Sequence, residues 1–313
     1  MKSRIFNLCL AAVTGLLVLS ACDSGNDDPI IQPASKNANA NPTTFYTAQE
    51  VTRTEFPHIA GGTDNLIIVH KVSGFGRDGV NYSIEWDCQE KAQRWTCYQM
   101  HAGNSAENWK RSQWNSTPWK GDPFQEDKDI PAEYRTTLAD YRGSGYDRGH
   151  ICPSADRLYS QDVNEQTFYM SNMHPQKHNF NAGIWEDMEG QVRKWNTNTF
   201  RDTLFVCKGG TINEQLGQVL TRTKSGVIVP KYFFMAILCK KNGSYKAMAF
   251  WAEHTDKKAS GAKLADYAIS IDELEKKTGI DFFCNLPDDV EDRVEAVDPK
   301  SDAAKTAWRL NDN

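Results

Sequence analysis

The stretch from Asp140 to Glu189 holds a histidine, arginines, an asparagine and a carboxylate at spacings suited to proton transfer next to a phosphate. His150 ends the run Asp147-Arg148-Gly149-His150. A neutral imidazole titrates near neutrality, so it can take a proton from water at working pH. Gly149 lets the backbone pass close to a substrate. Arg148 is a permanent cation whose forked donors match phosphate oxygens. Asn181 offers a hard amide oxygen suited to Mg²⁺, an ion that keeps several waters and often takes only one or two protein ligands. Glu189 lies two helical turns further on. A continuous helix would put the two Cα atoms roughly 12 Å apart. The expectation is therefore that Glu189 reaches the ion through a water.

The flanking residues narrow this further. Asp140-Tyr141-Arg142-Gly143-Ser144-Gly145 precedes the run, and Ser171-Asn172, Pro175-Gln176, Asn181, Trp185 and Glu189 follow it. This pattern resembles the DNA/RNA non-specific endonucleases of the ββα-metal group, which include endonuclease G and secreted bacterial sugar-non-specific nucleases. The resemblance covers about Phe56 to Leu286. It implies His150 as general base, Asn181 as the protein ligand to Mg²⁺ (Mn²⁺ a substitute), and Glu189 as the helix carboxylate that orients a water on the ion. It implies Arg148 beside the phosphate and Asn172 as a further substrate-site residue or a support for the imidazole. Asp147 holds the turn, and an upstream arginine is matched loosely by Arg111. DNA and RNA are the implied substrates, with products carrying a 5′ phosphate. The alternatives are a phosphodiesterase or pyrophosphatase on the same scaffold, and a non-catalytic surface-binding lipoprotein.

The elements that must position these residues read as a mixed α+β fold with a mainly antiparallel sheet. Asn65–His70, Tyr82–Trp86, Arg94–Tyr98, Leu204–Cys207, Val227–Leu238 and Tyr245–Trp251 have strand character, with Gly209-Gly210 and Asn242-Gly243 as breaks. Asn181 to about Asn196 reads as one helix, because Ile184, Trp185, Met188, Val192 and Trp195 fall on one stripe. Ser270 starts another. Trp109, Trp114 and Trp119 read as packing beneath a long loop. His174 and His178 flank Pro175, which argues against a helical metal pair, and they read as surface histidines.

The chain opens with Lys2 and Arg4, an apolar run from Ile5 to Leu19, and Leu19-Ser20-Ala21-Cys22. This resembles a bacterial lipobox, which implies a signal peptide over 1–21 and lipid on Cys22. The expected organisation is then a flexible spacer over 22–55, a nuclease-like domain over 56–286 and an acidic tail over 287–313. Export would attach the protein to a cell-envelope membrane, on its periplasmic or surface face, through lipid and not through a span. Six cysteines then remain in an oxidising compartment, which suggests disulfides, with Cys207 and Cys239 as one guess. With no close CxxC pair, structural zinc has little support. The formal net charge of −5 lacks the basic excess of a nucleic-acid binder. From Asp288 onward, eight acidic residues face four basic ones, so about −4 sits at the end of the chain.

Overall fold

The computed structural model describes residues 36–43, 49–257 and 263–310. The expected signal segment and Cys22 lie outside them. The strands are β1 (Asn65–Lys71), β2 (Val80–Asp87), β3 (Ala92–His101), β4 (Asp147–His150), β5 (Met173–Gln176), β6 (Thr203–Gly210), β7 (Val219–Arg222), β8 (Ile228–Pro230), β9 (Tyr232–Lys241), β10 (Ser244–Glu253) and β11 (Ala268–Ile269). The helices are α1 (Leu138–Tyr141), α2 (Gln161–Gln166), α3 (His178–Phe180), α4 (Glu186–Trp195), α5 (Ile271–Thr278), α6 (Asp288–Glu295) and α7 (Asp302–Trp308). Seven strands form one sheet in the order β1-β2-β3-β6-β9-β10-β11, antiparallel throughout. The mixed, mainly antiparallel α+β architecture is the one expected.

Alternation along the central strands gives the sheet two buried faces. Leu204 and Val206 of β6, with Met235 and Ile237 of β9, point into one core, which is closed by Trp185, Met188, Val192 and Trp195 around α4. Phe205 and Cys207, with Phe234 and Ala236, point into the other, closed by Leu274 of α5, Phe282 and Val294 of α6. Asn242 and Gly243 both take positive φ (49° and 80°), as a two-residue hairpin turn between β9 and β10 requires. Ser270 Oγ accepts the backbone N–H of Glu273 at 3.1 Å and caps α5.

Several sequence expectations change. Val227–Leu238 is two strands, because Pro230 has no N–H to offer and β8 pairs with β7 while β9 pairs with β6. Gly209-Gly210 is not a break: β6 runs through both. A Cβ on Gly210 would lie 2.5 Å from Pro230, so its absence admits the neighbouring strand. Cys88, Cys97, Cys152, Cys207, Cys239 and Cys284 are all buried and free. Cys207 opposes Ala236 and Cys239 opposes Leu204, so the guessed pair points to opposite faces of the sheet. Cys207 instead faces Cys97 across β3 and β6.

Both ends of the described chain pack against the body. Asn41, in the segment expected as spacer, is 4% exposed and donates to the carbonyls of Val51 and Pro57. In the acidic C-terminal segment, Trp308 is buried and its carbonyl accepts from Trp195 Nε1 at 2.6 Å.

Candidate active site

β4 and β5 form a separate two-stranded ribbon in which Arg148 opposes Pro175, Gly149 opposes His174 and His150 opposes Met173. Gly149 is required by the packing of the ribbon itself. A Cβ on it would fall 2.2 Å from the buried Gln176 side chain. The chain then turns through α3 into α4. The expected continuous helix is broken at its start. Ala182 (φ −89°, ψ 21°) and Gly183 (φ −132°, ψ −117°) are non-helical, so Asn181 sits on a wide turn ahead of α4. The straight-helix distance between Asn181 and Glu189 therefore does not apply.

β4, the turn, α4 and the long loop before β4 enclose a cleft of about 290 Å³ lined by Arg111, Arg148, His150, Asn181, Glu186, Glu189 and Arg193, among others. His150, Arg148, Asn181, Glu189 and the loosely matched Arg111 thus come together. Asn172 does not join them. It is fully buried, its Oδ1 accepts from Cys152 N at 2.8 Å, and its Nδ2 donates to the carbonyls of Cys152 and Thr167. The expected substrate contact is corrected to a brace for the backbone just after His150.

The imidazole of His150 lies between Phe168, edge-on at 5.0 Å, and Phe124 at 5.5 Å between ring centres. Its Nε2 is buried without a hydrogen-bond partner. Burial, followed by the charges of Arg111, Lys208 and Arg148, pushes its pKa down to about 3, so the ring is neutral. Arg148 lies 3.7 Å from the Phe124 ring centre and 3.4 Å from Asp122. Arg111 is exposed in the cleft, 5.6 Å from the Phe168 ring centre.

Asn181 Nδ2 donates to Asp147 Oδ2 at 3.0 Å, and His178 Nδ1 lies 2.9 Å from the same oxygen. A carboxylate only accepts, so this contact orients the amide and leaves Asn181 Oδ1 for the cleft. Glu189 Oε1 accepts from Lys208 Nζ at 3.0 Å. Lys208 is fully buried on β6 and lies 5.0 Å from the Trp185 ring centre. Burial pushes the Glu189 carboxyl up to about 7, against the pull of Lys208. The amide oxygen of Asn181 with the carboxylates of Glu186 and Glu189 makes an all-oxygen donor set with no thiolate among the cleft's residues. That set fits a hard divalent ion such as Mg²⁺ or Mn²⁺.

Sequence reasoning missed Lys208, Glu186 and Arg193. A lysine inside the apolar run of β6 was the available signal for the first. The other two lie three residues before and four after Glu189, on the same face of α4. Of the two histidines read as surface groups, His178 is exposed, but His174 is 1% exposed, with its ring 5.9 Å from Phe233. Two of the three loop tryptophans pack as expected: Trp114 is buried and donates to Asn164 Oδ1 at 2.8 Å, with Trp109 edge-on to it, while Trp119 is half-buried. Arg111, Arg148 and Arg193 line the cleft beside Glu186 and Glu189, while a purely acidic group gathers at α5 and α6 beyond the other core.

A family model described as DNA/RNA non-specific endonuclease matches residues 65–289. A nuclease of Nostoc sp. is 30% identical over 224 residues, which cover 69% of this chain and 75% of that protein. The mitochondrial nuclease EXOG of Xenopus laevis is 29% identical over 222 residues, 68% of this chain and 59% of that protein. The mitochondrial endonuclease G of Bos taurus is 30% identical over 170 residues, 52% of this chain and 56% of that protein. The chain thus spans little more than half the length of the last two. In fold, it is similar to a chain in a crystal structure titled as the EndoG/EndoGI complex. The TM-score is 0.57 at 24% identity, covering 72% of this chain and 89% of the other.

Proposed function

The chain belongs to the DNA/RNA non-specific endonuclease family, and from that premise we propose that it is an exported, lipid-anchored nuclease that hydrolyses DNA and RNA phosphodiesters with little regard for sequence. The observation that carries this reading is that a neutral, unpartnered imidazole, His150, shares one cleft with an asparagine whose amide is aimed by Asp147.

In this reading His150 removes a proton from water as the water attacks phosphorus, and the P–O3′ bond breaks. The 5′ side keeps the phosphate and the 3′ oxygen takes up a proton from solvent. An anionic phosphate in the cleft offsets the charges of Arg111, Lys208 and Arg148, which add to burial in lowering the imidazole pKa, so the ring becomes a better base when substrate is present. Arg148 and Arg111 hold the non-bridging oxygens. Arg148 is fixed for that task by the Phe124 face beneath it. Asn181 and, behind it, Glu189 would hold Mg²⁺ or Mn²⁺, which supplies charge neutralisation at the phosphate. Lys208 keeps Glu189 in place. Contacts of this kind reach the backbone and not the base edges, which supports low sequence preference and both sugar types. Cys22 carries the lipid that tethers the enzyme to a cell-envelope membrane.

The test is digestion of plasmid and RNA by wild type and His150→Ala, with chelator and with Mg²⁺. We expect loss of roughly 10²–10⁴-fold in the variant and chelator-sensitive cleavage in the wild type. Equal cutting by the variant would remove the mechanism, and cleavage of nucleoside diphosphates alone would move the activity to the alternative substrate class.

A further inference from the structure

Beyond the second core, two helices turn acidic sides toward each other. Asp272 and Glu275 lie one turn apart on α5, and Glu291 and Glu295 one turn apart on α6. With Asp281 and Asn39 they line a cavity of about 440 Å³, and among the described residues its lining contains no lysine or arginine. One oxygen each of Asp272, Glu275 and Glu295 lies within 4.8 Å of the other two. Two oxygens bound to one ion at about 2.3–2.6 Å lie at most about 4.6–5.2 Å apart, so one ion can bridge all three.

A second observation is independent of the charge. Glu295 is 5% exposed, and its Oε1 is buried with no donor. Asn39 repeats the pattern. Its Nδ2 donates to Asp281 at 3.1 Å and to Glu291 at 3.0 Å, while its Oδ1 is buried without a partner. A buried oxygen without a donor is costly unless a proton or cation satisfies it. Glu275 Oε1 accepts the Phe282 backbone N–H at 2.8 Å.

We propose that this basin is a calcium site, with Asp272, Glu275 and Glu295 as its charged ligands, and that the ion fastens α6 and the segment carrying Asn39 to α5. Calcium suits it better than magnesium. Calcium takes 6–8 oxygens in flexible geometry, whereas magnesium demands a tight octahedron and keeps its waters. The site lies on the opposite face of the sheet from His150, and the proposal does not depend on the nuclease reading.

The test is thermal melting of the full chain after chelator treatment, with Ca²⁺ or Mg²⁺ returned. Calcium at one hundred times its Kd should raise the melting temperature by roughly 5–10 °C, and magnesium by much less. The double variant Glu275→Gln, Glu295→Gln relieves the repulsion. It should melt in chelator no lower than wild type, lose the calcium shift and still cut plasmid with Mg²⁺. Glu295→Gln alone should lose part of the shift. Asn181→Ala should keep the whole of it. No wild-type shift up to about 10 mM Ca²⁺, above the weakest extracellular sites, overturns the proposal. So does an equal shift in the double variant.

Discussion

The carboxylate of Asp147 accepts the side-chain amide of Asn181 at 3.0 Å, across the opening between β4 and the turn before α4. Asp147 lies three residues before His150, so one short strand carries the proposed base and also aims the proposed metal ligand. Asp147→Ala should free the Asn181 amide to rotate. The expected result is a roughly 10–100-fold rise in the Mg²⁺ concentration for half-maximal plasmid cleavage, with the rate largely recovered at saturating ion. A metal titration with an unchanged midpoint would show that Asp147 only holds its turn.

The pH profile follows from the lowered pKa of His150. A base whose pKa lies near 3 stays unprotonated through mild acid, so kcat/KM measured at saturating Mg²⁺, where the bound ion keeps Glu189 deprotonated, should not show an acid limb at the ordinary histidine value of about 6.5. Burial is the largest cause and Arg111 the next. Arg111→Ala should therefore move any acid limb upward in pH as well as weaken substrate binding. A wild-type rate that halves near pH 6.5, unchanged by Arg111→Ala, would contradict this account.

Lys208 and Glu189 form a buried pair whose side chains are 0% and 12% exposed. Removing the lysine takes away the ammonium that donates to the Glu189 carboxylate. Lys208→Met should cost roughly 3–5 kcal/mol of stability, read by urea unfolding. Adding Glu189→Gln should return part of it. A single variant as stable as wild type would mean that Glu189 takes a proton there at little cost.

The anchor is tested directly. Cys22→Ser expressed in a bacterial host should abolish labelling by a lipid precursor and release the protein from the membrane fraction. Retained labelling would assign the lipid to another residue.

The residues of the cleft were legible because their chemistry is carried by side-chain type. Asp147-Arg148-Gly149-His150, Asn181 and Glu189 could be picked out before any fold was known, and Arg111 only through the family resemblance, and loosely. The strands were legible where apolar residues run or alternate, as in β1, β2, β9 and β10. The break at Ala182 and Gly183 was not, because the apolar stripe of Ile184, Trp185 and Met188 continues the helical period across it.

By itself, then, the sequence determined the class of chemistry, the strand-rich core and the group of residues to examine, since all three follow from local composition and spacing. The tertiary structure decided what each group meets. It put Asn172 in the interior behind Cys152, turned Cys207 and Cys239 to opposite faces, and brought Lys208 from β6 to Glu189 on α4. It also set the carboxylates of α5 and α6 against one another. Those outcomes depend on strand order and register, which are fixed by the joint burial of both faces of the sheet. Contacts between residues far apart in the chain leave no periodic trace in its sequence.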